Sequence, residues 1–179
     1  MRITGGSLAR RPIEAPRGDH TRPTTDRVRE ALFSILASRI DLEGARVLDL
    51  FAGSGALGLE ALSRGAARCT FVERHGPTLS VARRNARSLG LEDRAAFVRG
   101  DALSVLDRDL EADLVLADPP YALDALATLP ARVRLRLAAG GLFVLEHDAR
   151  HRFENLPGLI VSRAYGRTVV SVFEGGAGG

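Results

Sequence analysis

Apolar residues follow two different periodicities along the chain, and the changes between them predict its secondary structure. Short apolar runs are typical of buried parallel strands, and a recurrence every three or four residues between them is typical of helices. The predicted strands are Val47–Leu50, Thr70–Glu73, Ala96–Val98, Leu114–Ala117 and Leu142–Leu145, and the predicted helices lie at about 57–64, 77–89, 102–109 and 123–137. Strands that alternate with helices in this way predict βαβ units and a parallel sheet.

Both ends of the chain depart from this alternation. Near the start, the stretch from Arg22 to Asp26 contains a proline, a threonine that could cap a helix and an acid, and it predicts the start of an amphipathic helix over 25–39. Near the end, the β-rich runs Leu159–Val161 and Thr168–Phe173 are separated by a short turn and predict an antiparallel hairpin. The predicted fold is α/β, a doubly wound and mostly parallel seven-stranded sheet with a C-terminal antiparallel hairpin.

The first 22 residues are rich in Gly, Pro and Arg. They predict a basic N-terminal arm or small hairpin rather than an element of the packed core. We therefore expect a single domain over residues 1–179, of which 1–22 form the arm. A length of 179 residues suffices for a hydrophobic core without disulfides or metals.

Composition narrows the classes of protein that need to be considered. The single cysteine excludes an internal disulfide framework and a cysteine-rich zinc cluster. No stretch reaches the roughly 20 apolar residues of a membrane span, and the N-terminus has no apolar signal region. We expect a cytoplasmic enzyme with no metal site and no membrane partner.

Positive charge is concentrated near the N-terminus. The first 40 residues contain eight arginines and four acids, a net charge of +4, whereas the whole chain carries only +3. This asymmetry suggests a polyanionic partner that is contacted mainly at one end, although a solvated arginine-rich face would look the same. The candidate contacts are Arg10, Arg11, Arg22 and Arg27.

A glycine-rich loop follows the first predicted strand. The stretch from Gly53 to Gly58 has the spacing G-x-G-x-x-G, which suits close approach of the backbone to a nucleotide cofactor. The spacing alone does not separate NAD from S-adenosylmethionine. Asp49 favours the latter, because a carboxylate can meet the charged amino-acid end of that cofactor and would repel a pyrophosphate. The candidate cofactor contacts in this region are Asp49, Phe51, Ala52, Gly53, Ser54 and Gly55.

Two further acids follow the next strands. Glu73 lies 20 residues after Gly53 and is placed to accept hydrogen bonds from ribose hydroxyls. Asp101, next to Ala102, could accept the adenine amino group, but it is equally suited to cap the helix that begins there. We predict both Asp101 and Ala102 as cofactor contacts.

The segment Asp118-Pro119-Pro120-Tyr121 ends the fourth predicted strand and gives the most specific chemical prediction. The two prolines fix the backbone, so that the Asp118 carboxylate and the Pro119 carbonyl can both accept hydrogen bonds from one exocyclic amine. Tyr121 offers a flat face on which an extruded base can stack. These four residues predict methyl transfer to a planar amine, with Asp118 also bordering the cofactor.

Segments 22–33 and 48–66, together with Asp118–Tyr121, resemble the bacterial small-subunit (16S) ribosomal RNA guanine-N2 methyltransferases, which are class I S-adenosylmethionine-dependent enzymes. The resemblance implies a Rossmann-like methyltransferase fold and methylation of one guanine N2 in 16S ribosomal RNA or an assembling small subunit. It also implies that Thr24 borders the cofactor and that the N-terminal arm helps to hold RNA. We expect the protein to act as a monomer.

Two alternatives remain open on the residues alone. Asp-Pro-Pro-Tyr also occurs in amino-methyltransferases that act on DNA adenine N6 or on protein glutamine. A DNA enzyme would usually need an additional recognition domain, for which the chain has little room. An NAD-dependent oxidoreductase could use the same glycine loop, but the chain has no lysine and its four histidines lie in no recognisable motif.

Overall fold

The computed structural model describes residues 1–16, 25–108, 110–120 and 122–176. Within these residues the strands are β1 (Arg46–Leu50), β2 (Arg68–Glu73), β3 (Ala95–Arg99), β4 (Ala112–Ala117), β5 (Leu137–Asp148), β6 (Leu159–Tyr165) and β7 (Thr168–Glu174). The helices are α1 (Asp26–Ala37), α2 (Ala56–Ser63), α3 (Gly76–Leu89), α4 (Ala102–Val105) and α5 (Leu129–Arg134), with 3₁₀ turns at Glu92–Arg94 and Asp124–Ala127.

The strands form one sheet in the order β3-β2-β1-β4-β5-β7-β6. The first five strands pair in parallel, whereas β7 is antiparallel to both β5 and β6. The predicted doubly wound sheet with a C-terminal antiparallel hairpin is confirmed. From β1 the chain runs outward to β2 and β3 and then returns to β4 on the other side of β1. Doubly wound sheets bind ligands at such a switch point.

Each face of the sheet carries its own hydrophobic core. Residues of α1, α2 and α3 pack on one face, and residues of α4 and α5 pack on the other. The predicted N-terminal helix is confirmed as α1, whose first turn is capped by the Thr25 hydroxyl, which accepts a hydrogen bond from the Val28 N–H at 3.3 Å. None of the helices among the described residues is long and apolar enough to cross a membrane.

Two predicted helices were too long. Of the segment predicted as helical over 102–109, the described residues 102–108 are helical only over Ala102–Val105. The segment 123–137 contains a 3₁₀ turn and then the short helix α5, and β5 already begins at Leu137. Leu137 pairs with Ala112 of the neighbouring strand and is therefore part of β5. The helical pattern of the local sequence gives no sign of this pairing with a distant strand.

Residues 1–13 form a small hairpin, whereas residues 17–22 of the predicted arm lie outside the described residues. Arg2 and Pro12 form an antiparallel bridge, with backbone hydrogen bonds on both sides of it. The expectation that this segment stays out of the core was wrong, because Ile3 is 0% and Ile13 is 6% exposed. We call residues 1–13 the N-terminal hairpin.

A buried ionic group holds the N-terminal hairpin against the helices. The Glu60 carboxylate on α2 accepts hydrogen bonds of 2.8 Å from both the backbone N–H and the hydroxyl of Thr4. Arg29 on α1 is fully buried and lies 3.7 Å from the same carboxylate, and its guanidinium donates to the backbone carbonyl of Arg2. Burying a carboxylate is costly without such partners, so these contacts fix the hairpin firmly on α1 and α2.

Candidate active site

A cleft of about 840 Å³ lies at the carboxyl ends of β1, β2, β3 and β4. Its volume falls within the range of about 300–1,000 Å³ that is usual for small-molecule sites. The predicted cofactor residues that line it are Asp49, Phe51, Ala52, Gly53, Ser54, Glu73, Asp101, Ala102 and Asp118. The parallel sheet brings these residues together because its strands all end at the same edge.

The glycine loop between β1 and α2 has a backbone that favours glycine. Gly53 and Gly55 adopt left-handed conformations with φ of +56° and +79°, and Gly55 is the N-cap of α2. Phe51 also has a positive φ, +58°, which costs a non-glycine residue about 1–2 kcal/mol. The loop therefore holds a strained turn at the floor of the cleft, where its backbone can approach a ligand.

Asp49 stabilises the helix that follows this loop. Gly55 has no side chain to cap α2, and the Asp49 carboxylate instead accepts a hydrogen bond of 2.9 Å from the Gly58 N–H. The Asp49 side chain is thus buried and anchored from below, while part of it lines the cleft. This capping role was not predicted from the sequence.

Glu73 and Asp101 both organise backbone at the cleft. The two oxygens of Glu73 accept hydrogen bonds from the backbone N–H groups of Gly53, at 3.1 Å, and His75, at 2.8 Å. Asp101 caps α4 by accepting from the Leu103 and Ser104 N–H groups, which confirms the capping interpretation. Each carboxylate oxygen has two lone pairs, so these contacts leave acceptor capacity towards the cleft.

The cleft is strongly acidic. Burial raises the pKa of the Asp49 carboxyl well above its usual range; the nearby charges of Asp118 and Glu73 raise it further, while the hydrogen bond from Gly58 opposes the shift. Carboxylates that disfavour one another's charge attract a cationic ligand. An anionic pyrophosphate would be repelled at the same place.

The four residues from Asp118 to Tyr121, which we call the acceptor motif, follow the end of β4. Asp118 is partly buried and Pro119 fully so. The Pro120 carbonyl accepts a hydrogen bond of 2.9 Å from the Leu123 N–H, which closes the turn, whereas within the described residues no donor binds the carbonyl of Pro119. Tyr121 lies outside the described residues.

One important residue at the site was missed by sequence reasoning. Asn85 on α3 is 1% exposed, and its amide Nδ2 donates to the Ser54 carbonyl at 2.9 Å and to the Glu14 carbonyl at 3.0 Å. Its Oδ1 accepts from the Glu14 N–H at 2.8 Å. Asn85 therefore joins the glycine loop to the N-terminal segment, whose Pro16 and Met1 line the cleft. An asparagine on an otherwise apolar helix face was the only available signal.

The predicted RNA contacts lie mostly on the surface. Arg10 and Arg11 are exposed on the N-terminal hairpin, where Arg11 also donates to the Ser88 carbonyl at 3.1 Å, and Arg27 is exposed on α1. Arg22, like the predicted cofactor contact Thr24, lies outside the described residues.

The chain is similar to known proteins over nearly its whole length. A family model described as Conserved hypothetical protein 95 matches residues 1–174. The chain is 38% identical to the Bacillus subtilis protein named "Putative rRNA methyltransferase YlbH", over 97% of this chain and 98% of that protein. It is 43% identical to the Escherichia coli "Ribosomal RNA small subunit methyltransferase D", over 68% of this chain and 60% of that protein. The solved structure of the Escherichia coli "Putative methyltransferase yhhF" superposes with a TM-score of 0.85 and 32% identity, over 99% of both chains.

Proposed function

We propose that this chain, which belongs to the Conserved hypothetical protein 95 family, is an S-adenosylmethionine-dependent methyltransferase that modifies the exocyclic N2 of a guanine in small-subunit (16S) ribosomal RNA. The observation that carries the proposal is the position of Asp118-Pro119-Pro120 at the end of β4, in the wall of an acidic nucleotide-sized cleft. The relatives named above support RNA as the acceptor.

The residues of the cleft suit this cofactor. S-adenosylmethionine, when bound, supplies a methyl group activated by a positively charged sulfonium. The ammonium and sulfonium charges are favoured beside Asp49 and Asp118, while Glu73 is placed for ribose hydroxyls and Asp101 with Ala102 for the adenine. The backbone of the glycine loop forms the floor of the cleft, where its N–H groups can approach the cofactor.

The acceptor motif suits an exocyclic amine. The Asp118 carboxylate and the Pro119 carbonyl would each accept one N–H of the amine and so orient its nitrogen towards the methyl donor. We propose that Pro120 fixes the backbone of this turn and that Tyr121 stacks on the base. Alignment of two reactants is itself a large contribution to rate, and this arrangement needs no metal or protein nucleophile.

The ribosomal RNA acceptor is supported by the basic N-terminal segment. We propose that Arg10, Arg11, Arg22 and Arg27 contact RNA phosphates, that Thr24 borders the cofactor, and that residues 1–179 act as one domain and as a monomer. Arginine suits this role because its planar guanidinium donates two hydrogen bonds to one phosphate.

Transfer of label to RNA tests the proposed function. The protein is incubated with tritiated S-adenosylmethionine and small ribosomal particles that lack the methyl mark, and the RNA is digested to nucleosides. We expect label in N2-methylguanosine. Label in another nucleoside or in protein would assign a different acceptor to the same chemistry, and no label would refute the methyltransferase proposal.

Thermal unfolding separates the proposed cofactor from NAD. A ligand that binds only the folded state raises the unfolding temperature with its concentration. We expect S-adenosylmethionine to raise it and NAD to leave it unchanged.

A further inference from the structure

We propose that a second RNA-binding surface lies at the carboxyl edge of the sheet, on the far side of the acceptor motif from the N-terminal hairpin. It consists of Arg152, Arg163 and Arg167, and we call it the C-terminal basic surface. Its partner is the phosphate backbone of the RNA that carries the modified base. The inference rests on the proposed function, and it extends the RNA contacts to a region for which the sequence indicated none.

Strand topology places this surface beside the acceptor motif. Ala117 of β4 pairs with Leu145 of β5, so Asp118 follows at the level where the last residues of β5 begin. Because β7 is antiparallel to β5, its first residue, Thr168, pairs with Asp148 at that same edge. The β6–β7 turn, which contains Arg167, therefore lies at the same edge of the sheet as Asp118.

The other two arginines lie near this edge as well. Arg163 pairs with Val170 near the start of β7. Arg152 follows His151, whose Nδ1 lies 2.8 Å from the Asp148 carboxylate at the end of β5.

The distances are suited to a single RNA strand. Three residues along a strand span about 10 Å, and two steps between neighbouring strands span about 10 Å. The backbone near Arg167 is therefore roughly 15 Å from Asp118. This separation suits contacts to nucleotides next to the one that enters the site.

The surface carries uncompensated positive charge. Residues 148–168 contain four arginines and two acids. Arg150 is neutralised by Asp148, to which its Nε donates at 2.7 Å; burial raises the pKa of Asp148, but hydrogen bonds from Arg150 and His151 outweigh this effect and lower it to about 2.

The three arginines of the surface have no comparable partner. Arg152, Arg163 and Arg167 are exposed, and in the described part of the chain no acidic side chain forms an ion pair with any of them. Elsewhere on the surface arginines are often paired, as Arg84 is with Glu14 and Arg87 with Glu92.

The position of the cleft explains why RNA would approach from this side. The cleft lies over the ends of β1 to β4, and the N-terminal segment lines its wall through Met1 and Pro16. We infer that the cofactor fills that space and that the base reaches Asp118 from the side of β5 and β7. The N-terminal hairpin and the C-terminal basic surface would then contact the strand on opposite sides of the flipped base.

Charge reversal tests this surface. The double variant Arg152→Glu/Arg167→Glu is compared with Arg68→Glu/Arg108→Glu, which changes net charge equally; Arg68 begins β2 and Arg108 precedes β4, so both lie at the opposite edge of the sheet. Fluorescence anisotropy with small-subunit ribosomal RNA transcribed in vitro measures RNA affinity over a range of salt concentrations. Calorimetry with S-adenosylhomocysteine measures the cofactor site.

The expected result is specific to RNA. We expect the first variant to lose at least about tenfold in RNA affinity, with a salt slope shallower by about 1.4, since each phosphate contact on a single strand contributes about 0.7. The control variant should lose clearly less, and both should bind S-adenosylhomocysteine like the wild type. Equal RNA affinities and slopes for the two variants would overturn this inference alone, provided that the wild type methylates RNA. A wild type that transfers no label to RNA would instead overturn the proposed function.

Discussion

At the scale of single residues, the acidic side chains of the cleft share one chemical group, the carboxylate, but differ in their surroundings. Asp49 is buried and caps α2, Glu73 binds two backbone N–H groups, and Asp118 follows the end of β4. Burial and hydrogen bonding therefore determine which of them holds structure and which can meet a substrate.

Replacement of Asp118 should separate catalysis from cofactor binding. We expect Asp118→Ala to lower kcat by at least about 100-fold, because an acceptor amine that is misplaced by about 1 Å reacts that much more slowly. Binding of S-adenosylhomocysteine by calorimetry should change far less. Asp124→Ala, at an exposed acid on the same segment, serves as the control and should retain activity. Wild-type turnover by Asp118→Ala would remove Asp118 from the mechanism.

The raised pKa of Asp49 predicts a pH dependence of cofactor binding. A carboxyl whose pKa lies above its usual range is partly protonated at mildly acidic pH, and it must lose this proton to attract a cation. Affinity for S-adenosylmethionine should therefore rise as the pH rises through the raised pKa of Asp49. Binding below that pKa should release a proton, which calorimetry in buffers of different ionisation enthalpy detects.

Two variants assign this pH dependence. Asp49→Asn should weaken binding and flatten its dependence on pH. His75 also lines the cleft, so His75→Gln is needed as a control and should retain the dependence. A dependence that persists in Asp49→Asn and disappears in His75→Gln would contradict the assignment to Asp49.

At the scale of elements, close packing between α2 and β2 positions the glycine loop. A Cβ added to Gly58 would lie 2.4 Å from the Phe71 ring and 2.6 Å from the Cys69 sulfur. The helix can approach the strand this closely only because position 58 is glycine. Gly58 thus serves both the packing and, through its N–H, the capping by Asp49.

Substitution of Gly58 should therefore reduce stability. We expect Gly58→Ala to lower the free energy of unfolding by about 1–3 kcal/mol, as is typical of overpacked cores. Urea denaturation followed by circular dichroism measures this change. Gly100→Ala is a suitable control, since the nearest atom to its added Cβ is 3.9 Å away. A Gly58→Ala protein as stable as the control would show that α2 can move away from β2 at little cost.

Asn85 connects α3 to two other segments, so its replacement should affect the cofactor site as well as stability. Asn85→Asp removes both N–H donors and places a carboxylate beside the Ser54 and Glu14 carbonyls. Loss of a buried hydrogen bond costs about 1–3 kcal/mol, so we expect affinity for S-adenosylhomocysteine to fall about tenfold or more.

Calorimetry on the folded variant, at a temperature well below its unfolding transition, measures this effect. Ser88→Ala lies about one turn further along α3 and should bind like the wild type. If Asn85→Asp were less stable but bound the ligand normally, Asn85 would support only the fold.

At the scale of the whole molecule, two basic regions lie on either side of an acidic cleft. The N-terminal hairpin carries Arg10 and Arg11, and the C-terminal hairpin carries Arg163 and Arg167. A nearly neutral net charge of +3 conceals this separation. Such a distribution attracts a polyanion to the rim and a small cation to the interior.

Reversal of charge on the N-terminal hairpin should weaken RNA binding. We expect Arg10→Glu/Arg11→Glu to bind small-subunit ribosomal RNA less tightly and with a shallower salt dependence. The reason is that binding through fewer phosphate contacts releases fewer counterions from the RNA. Fluorescence anisotropy at several salt concentrations measures both, with Arg68→Glu/Arg108→Glu as the control of equal charge. An unchanged slope would indicate that these arginines form only a solvated face.

The sequence by itself determined the order of strands and helices along the chain and the parallel pairing of the central strands. It also determined that Asp49, Glu73 and Asp118 lie at the carboxyl edge of the sheet. These features depend on periodicity and on motifs of a few residues, and parallel strands necessarily end at one edge. It could not determine where 123–137 stops being helical, because pairing of Leu137 with Ala112 is not a local property.

Only the tertiary structure decided which distant groups meet. Glu14 and Asn85 are 71 residues apart, and Thr4 and Glu60 are 56 apart, yet both pairs are hydrogen-bonded. The burial of Ile3 and the position of Arg167 beside the acceptor edge are likewise consequences of packing and strand pairing. Each of these contacts forms because the two groups satisfy one another's hydrogen bonds, charge or apolar surface in the folded chain, and no short stretch of sequence contains both partners.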